Sequence, residues 1–401
     1  MMYQSDHHEH TSPADLTHTF VEAARAASPV LLRHADDAER DSRLAPEATQ
    51  ALRDAGMFRL AVPGELGGHQ LPLAAAVDVL AELGEACPSS GWVAMVSYVA
   101  QQIAASFGEK AGLDLWGDGP DVPMCGVFGS FGVTAQQVDG GLLVSGRWGW
   151  ASGCRQAEWG VLGVPLPLPE GDGTQPGVAL VRTSDLTVEA TWDMAGMRGT
   201  GSDTLVADAV FVPQHRLRTF SDVVAPAQRD AAPLYRILPG SMTLASMAPL
   251  LGAARAVFRL TLEAVEGGKP MAMSLHRRLA DSPSVQASLA DAATLIDSAH
   301  LHLLRSAEAV DAAAAASTTP TLRERARVRM DVGHASTCLR QAVQLLLTVR
   351  GASSFAHTSP VQRYWRDLET ATRHPTLNPG LAREMYGRAL VGDERPVSPM
   401  V

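Results

Sequence analysis

Two runs rich in glycine and tryptophan carry the residue types best suited to chemistry. Residues 144–159 read V-S-G-R-W-G-W-A-S-G-C-R-Q-A-E-W, and residues 192–205 read W-D-M-A-G-M-R-G-T-G-S-D-T-L. As a strand, the first run alternates Trp148 and Trp150 with glycines, so one face offers indole rings and lets a planar ligand approach the backbone. Ser152 adds a hydroxyl that can donate or accept a hydrogen bond. The alternative is a buried strand with core tryptophans and a serine that caps a turn.

Composition limits the classes of protein to consider. At 401 residues, with 46% hydrophobic and 19% charged residues, the chain should form two or three packed units. Its formal net charge of -10 argues against nucleic acid or an anionic membrane as partner. The four cysteines form no C-x-x-C pair, so no zinc site or other metal site is predicted. No secretory signal and no membrane-spanning run is visible, and we expect a cytoplasmic protein.

The chain divides into a tail and three regions. Residues 1–12 are polar and predict a disordered tail, whose His7, His8 and His10 could bind only a stray metal. Residues 13–121 have a helical pattern, whereas in residues 122–225 glycine-rich segments separate short apolar runs, which is typical of strands.

Residues 226–401 return to the helical pattern, with alanine and leucine at three-to-four spacing. Helices over 242–265, 284–314, 322–349 and 379–390 predict an antiparallel four-helix bundle, with Thr321 as a helix cap. The predicted fold class is therefore α+β: an N-terminal helical domain, a central β-sheet or barrel domain, and a C-terminal four-helix bundle.

The order of the regions and the two central runs resemble the acyl-CoA dehydrogenase superfamily. The resemblance extends over residues 52–392 and includes a G-x-x-x-x-x-x-P-x-x-x-G-G spacing that begins at Gly56. It implies a flavin bound between the central sheet and the bundles, and assembly as a homotetramer.

The carboxylate base of the dehydrogenases is missing at both positions that the family uses. Those enzymes need a base to remove a carbon-bound proton. About eight residues after Arg366-Asp367 stand His374 and Pro375, and residues 241–261 contain no Asp or Glu. Glu369 is a weak alternative base. The chain thus resembles the two-component flavin-dependent monooxygenase branch, which includes the oxygenase component of p-hydroxyphenylacetate hydroxylase and antibiotic-pathway hydroxylases.

This branch implies a specific reaction. A separate NAD(P)H-dependent flavin reductase supplies reduced FMN or reduced FAD. The reduced flavin reacts with O2 to form a C4a-hydroperoxyflavin, which hydroxylates an aromatic or polyketide-type phenol. The resemblance places this reaction in secondary metabolism such as antibiotic biosynthesis. The alternatives are an N-oxygenase acting on an amine or amino sugar and, third, an acyl-CoA dehydrogenase or a non-catalytic protein of this fold. The single glycine of Arg350-Gly351-Ala352-Ser353 leaves FMN or FAD open and slightly favours FMN. No G-x-G-x-x-G follows a strand, so the electrons must come from a partner.

The resemblance also implies cofactor-binding residues. Ser152 corresponds to the hydroxyl that hydrogen-bonds flavin N5, and Trp150 to the tryptophan beside the ring. Gly126 and Phe128 lie where the first β segment passes the flavin. The second run offers further donors, which could contact a flavin phosphate, contact a substrate oxygen or simply form a turn: Arg198, Thr200 and Ser202. From the bundle, Arg278, which stands beside Arg277, is expected to contact the flavin phosphate of a neighbouring subunit.

Two residues are expected to line the substrate pocket. Trp92 matches a pocket tryptophan of this branch, with ordinary helix core as the alternative. His374 is predicted to be catalytic together with Ser152, because an unperturbed pKa near 6.5 lets imidazole take a phenol proton or donate one near neutral pH. The alternative for His374 is a cap of the helix that ends near Arg373.

Overall fold

The computed structural model describes residues 13–168, 170, 172–224, 231–395, 397 and 398. The predicted tail with its three histidines lies outside the described residues. Helices come first, two sheets follow, and long helices end the chain, which confirms the predicted α+β class.

The N-terminal region is built from six helices. The helix α5 is buried along nearly its whole length, and the neighbouring α4 is apolar on most of its surface. Proline opens α3 and α5 at a position where the missing N–H costs nothing. The helices are α1 (Pro13–Arg33), α2 (Ala35–Asp41), α3 (Pro46–Asp54), α4 (Leu73–Ala86), α5 (Pro88–Ala104) and α6 (Glu109–Trp116).

The central region forms two four-stranded sheets instead of one. Their orders are β1-β4-β5-β8 and β2-β3-β7-β6, and only the β1–β4 pair is parallel among the described strands. Buried apolar side chains of both sheets, including Trp148, Leu162 and Leu205, pack together. The strands are β1 (Met124–Val127), β2 (Thr134–Val138), β3 (Gly141–Trp148), β4 (Trp159–Pro167), β5 (Thr174–Arg182), β6 (Thr187–Glu189), β7 (Thr204–Pro213) and β8 (Leu217–Thr219).

The strand predicted through residues 148–153 ends early, so that prediction is wrong. The strand β3 stops at Trp148, and Trp150 has a left-handed backbone with φ of 65°. The following turn is held by hydrogen bonds from Ala151 N to Asp203 O and from Gly153 N to Thr200 O. As a result the two indoles do not share a face: Trp148 is 1% exposed, whereas Trp150 is 66% exposed.

The C-terminal region contains the four predicted long helices and one more. Thr321 caps its helix with a reciprocal capping box to Glu324, as predicted for the cap. The additional helix carries the Arg366-Asp367 pair and packs on the first bundle helix. A short helix, α7 (Phe220–Val224), precedes the helices of the bundle, which are α8 (Thr243–Glu266), α9 (Pro283–Ala315), α10 (Leu322–Arg350), α11 (Pro360–Ala371) and α12 (Pro379–Leu390).

The helices from the two ends of the chain share one hydrophobic core. The helices α4 and α8 cross so closely that a β-carbon at Gly84 or Gly252 would overlap the backbone of the other helix. Residues 240–266 are long and apolar enough for a membrane span by composition, but 83% of the apolar window is buried inside the protein. This helix is therefore the centre of a shared core.

Candidate active site

Three predicted site residues from three different regions meet at one place. Trp92 comes from α5, Ser152 from the turn after β3, and His374 from the segment after α11. Trp92 Nε1 donates a hydrogen bond of 3.2 Å to Ser152 Oγ. The rings of Trp92 and His374 meet edge-on with centroids 5.9 Å apart. We call Trp92, Ser152 and His374 the domain-junction cluster.

The turn that carries Ser152 is joined to residues 197–203 through hydroxyl groups. Ser152 Oγ lies 2.8 Å from Ser202 Oγ, which lies 2.7 Å from Thr200 Oγ1. Thr200 Oγ1 in turn donates to Met197 O at 2.8 Å. The hydroxyl of Ser152 is therefore fixed from inside the protein, while its residue is only partly buried.

The carboxylates near this turn are already engaged by the protein. Asp203 accepts hydrogen bonds from Thr191 N at 2.8 Å and Trp192 N at 2.9 Å and pairs with Arg155. Asp367 accepts from Met197 N, and burial raises the pKa of its carboxyl to about 7. Both groups thus hold the backbone of the second run in place.

Glu369 does not reach the domain-junction cluster as a base. Its carboxylate pairs with Arg340 at 3.1 Å and with Arg373 at 2.8 Å. Among the described residues of this segment, Glu369 therefore does not replace the carboxylate that the sequence predicted to be missing.

His374 caps the short helical turn that follows it. Its Nδ1 accepts from Thr376 N at 3.4 Å and lies 2.7 Å from Thr376 Oγ1. Burial, followed by the nearby charge of Arg329, lowers the pKa of His374, so the ring is neutral at pH 7. With Nδ1 as acceptor we assign the proton to Nε2, which is left as a donor for a ligand. The alternative predicted a cap for the helix that ends near Arg373, but the His374 ring caps the turn that follows that helix, and the C-cap of α11 is Thr372. The observed cap is compatible with a catalytic role.

Aromatic side chains around the turn provide an open apolar surface. The rings of Trp150 and Trp192 pack edge to face with centroids 5.3 Å apart, and Trp150 stays largely exposed. Phe128 is 43% exposed, and a β-carbon at Gly126 would come within 3.4 Å of its ring. A bare indole face and a hydroxyl with a free lone pair fit the flat ring and polar edge of a flavin.

The predicted arginines are not part of this surface within one chain. Arg198 donates from Nε to Glu39 O at 2.9 Å and from Nη1 to Asp193 Oδ1 at 3.0 Å. These contacts support the simple-turn alternative for Arg198, whose role toward a flavin stays a prediction. Arg278 is exposed and pairs with Asp281 at 2.6 Å, so its predicted role depends on a second subunit.

Sequence reasoning missed two features beside the cluster. Ser202 appeared only as a further donor, although it joins Ser152 to Thr200. Arg329 on α10 is buried, donates to Thr376 O, and leaves Nε and Nη1 without a partner among the described residues. Burial alone lowers the pKa of its guanidinium to about 10. Nothing in the spacing of the sequence signals either contact.

The fold and the cluster together define a flavin-binding protein of the acyl-CoA dehydrogenase type. Residues 15–112 match the family model described as acyl-CoA dehydrogenase, N-terminal domain. Residues 244–379 match the model described as acyl-CoA dehydrogenase, C-terminal domain.

Known proteins narrow this class. The flavin-dependent monooxygenase, oxygenase subunit HsaA, of Rhodococcus jostii strain RHA1 is 31% identical, over 92% of this chain and 97% of its own. The FADH2-dependent resorcinol hydroxylase, oxygenase component, of Rhizobium sp. strain MTP-10005 is 33% identical, over 89% and 90%. The structure of XiaF from Streptomyces sp. in complex with FADH2 and glycerol superposes with a TM-score of 0.93 at 31% identity, covering 97% of this chain and 98% of XiaF.

The chain belongs to the family of flavin-dependent monooxygenase oxygenase components. It uses reduced flavin and O2, and as an oxygenase component it depends on a separate flavin reductase. The relatives favour hydroxylation over the N-oxygenase alternative and over the dehydrogenase alternative.

Proposed function

We propose that this protein hydroxylates the aromatic ring of a phenolic substrate of aromatic or polyketide type. The observation that carries the proposal is the domain-junction cluster, where a neutral His374 with a free Nε2–H stands beside the indole of Trp92 and the hydroxyl of Ser152. The identity of the relatives as hydroxylases supports it.

The residues divide the work between cofactor and substrate. When bound, reduced flavin and O2 supply the oxygen atom for transfer. Trp150 would hold the flavin ring, and Ser152 would hold its polar edge. The Nε2–H of His374 donates a hydrogen bond to the phenolic oxygen and so favours the phenolate over the phenol, while the phenol proton passes to solvent. The ring of the phenolate is a better nucleophile than that of the neutral phenol. Trp92 is 6% exposed and forms the buried wall of this junction.

Reduced FAD is the cofactor we propose, in place of the slight preference for FMN predicted from residues 350–353. The resorcinol hydroxylase is named for FADH2, and XiaF was solved with it, at 33% and 31% identity. Titration of the protein with reduced FAD and reduced FMN under anaerobic conditions tests this choice, and tighter binding of FMN would contradict it.

A homotetramer is the proposed assembly. In one chain Trp150 is 66% exposed, and Arg278 faces solvent, so both the aromatic surface and a source of phosphate contacts would be completed by another copy. Measurement of the molecular mass in solution tests the tetramer.

We also propose a cytoplasmic location, which is supported by four buried, free cysteines. The role in secondary metabolism stays a prediction.

The test of the proposed reaction follows oxygen into the product. The protein is mixed with chemically reduced FAD and ¹⁸O2 in the presence of a panel of phenols and a matched panel of amines. We expect one heavy oxygen atom on a phenol ring, detected by mass spectrometry. Labelled products from amines alone would contradict the proposal and return the N-oxygenase alternative.

A further inference from the structure

A chain of three hydroxyl groups runs from the domain-junction cluster into the protein interior. It begins at Ser152, passes through Ser202 and ends at Thr200, with oxygen separations of 2.8 and 2.7 Å. Ser202 is 4% exposed and Thr200 is 1% exposed. Water therefore has little access to these two hydroxyls, and their protons must be shared among protein atoms.

The direction of each hydrogen bond follows from the two ends of this chain. Thr200 Oγ1 lies 2.8 Å from Met197 O, a carbonyl that cannot donate, so the single proton of Thr200 points there. Ser202 must then donate to Thr200, and Ser152 must donate to Ser202. At the other end the indole N–H of Trp92 donates to Ser152 Oγ.

Ser152 is consequently left with no proton for a ligand and with one free lone pair. We propose that Ser202 and Thr200 act as positioning residues that lock Ser152 as a hydrogen-bond acceptor and so make the site selective for reduced over oxidised flavin. The inference rests on the proposed contact of Ser152 with the N5 edge of the flavin. The sequence left open whether this hydroxyl donates or accepts, and the proposal assigns it as an acceptor.

The chemistry of the two flavin states explains the selectivity. Reduced flavin carries a proton on N5 and can donate it to the free lone pair of Ser152. Oxidised flavin has an acceptor at N5 and needs a donor. To supply one, Ser152 would have to withdraw its proton from Ser202, and one oxygen pair of the hydroxyl chain would then face each other with no proton between them. That pair is Ser152 and Ser202 at 2.8 Å if the other bonds stay as they are, or Thr200 Oγ1 and Met197 O at 2.8 Å if all of them reverse. The loss of a hydrogen bond at this place is costly.

The experiment measures the dissociation constants of reduced and oxidised FAD for the intact protein, by anaerobic and aerobic titration. In Ser202→Ala the proton of Ser152 is released and can be donated to oxidised flavin. We expect oxidised flavin to bind about tenfold more tightly relative to reduced flavin. Because a tenfold ratio equals about 30 mV for two electrons, the potential of the bound flavin should fall by about 30 mV. Thr200→Val should shift both quantities in the same direction.

A matched control uses a second hydroxyl pair close by. Thr191 Oγ1 lies 2.8 Å from Thr204 Oγ1 but has no hydrogen bond to Ser152, Ser202 or Thr200. Thr191→Val should therefore leave the ratio of the two constants unchanged. Thermal melting without flavin checks that each variant is folded.

A further variant separates this inference from the proposed site. Ser152→Ala should weaken binding of reduced flavin and spare oxidised flavin. If it changes neither constant, the placement of Ser152 at the flavin is wrong. If Ser152→Ala has its expected effect but Ser202→Ala and Thr200→Val leave the ratio and the potential unchanged, the locked hydroxyl chain is wrong.

Discussion

Two clusters of side chains that contain histidine differ in how completely their hydrogen bonds are satisfied. The domain-junction cluster joins three regions of the chain. The second group, which we call the bundle cluster, lies on α9 and α10 alone and consists of His302, Arg305, Arg327, Asp331 and His334. In the bundle cluster Asp331 is 2% exposed and accepts from His302 at 3.1 Å, from Arg327 at 2.9 Å, and from Arg305 and Ser306.

The difference shows where a ligand is expected. In the bundle cluster both carboxylate oxygens of Asp331 have donors. His334 packs at a tilt against His302 with ring centroids 4.5 Å apart and lies 3.2 Å from Ser298 Oγ. In the domain-junction cluster, Ser152 keeps a free lone pair and His374 a free N–H. A polar group whose hydrogen bonds are all made within the protein stabilises the fold. A group that is held in place but keeps an unused donor or acceptor is available to bind a ligand.

Replacement of His374 should have the largest effect. His374→Ala removes the donor to the phenolic oxygen, and we expect product formation to slow by about 100-fold, within the usual range for a positioned acid or base. His302→Ala, in the bundle cluster, is the matched control and should keep normal turnover. The measurement is the rate of hydroxylated product with excess reduced flavin. Equal rates in the two variants would show that His374 has no greater role in catalysis than His302.

Replacement of Asp331 should act on stability instead. Burial opposes ionisation of Asp331, but hydrogen bonds from Ser306, Arg305 and Arg327 outweigh it and hold the pKa below its usual value. Asp331→Asn should lower the free energy of unfolding by about 2 kcal/mol at pH 7 and leave turnover intact. The exposed Asp297 on α9 lines a surface groove together with His302 and Arg305, and Asp297→Asn is the control.

The sign of the pH dependence follows from that lowered pKa. The stabilisation by Asp331 is complete above the pKa of the unfolded state and is lost as the pH falls through the folded pKa. Urea unfolding between pH 3 and pH 7 should show a steeper loss at low pH for the wild type than for Asp331→Asn. Parallel curves would show that Asp331 does not carry this pH dependence.

Replacement of Ser152 should uncouple flavin oxidation from product formation. In Ser152→Ala the edge of the flavin loses its fixed contact. We expect the amount of product formed per reduced flavin consumed to fall about tenfold, with a matching rise in H2O2. Thr191→Val again serves as the neighbouring hydroxyl control. Unchanged coupling would count against the role of Ser152, whatever the binding constants.

The smallest expected effect is a shift in a pH profile. Burial and then Arg329 lower the pKa of His374, so its neutral form persists below pH 6.5 and the rate should decline only at more acidic pH. Arg329→Met removes the positive charge and should move this acidic limb upward by less than about one pH unit. Turnover profiles of the wild type and the variant check this, and a downward movement would reverse the assigned cause.

The sequence predicted the order of the regions and the three residues of the domain-junction cluster, because motif and position identify them. It could not predict where β3 ends, since the turn at Trp150 depends on hydrogen bonds to Thr200 and Asp203. The direction of the hydroxyl chain depends on contacts between distant parts of the chain. For the same reason nothing local indicated that Arg198 would bond the backbone at Glu39.

The close crossing of α4 and α8 has a consequence for biosynthesis. The buried surface of α4 has its main partner in a helix that is translated only after the whole sheet region. During synthesis the apolar surface of the N-terminal helices therefore stays exposed until α8 has left the ribosome. We expect chaperones to bind the nascent chain during this interval.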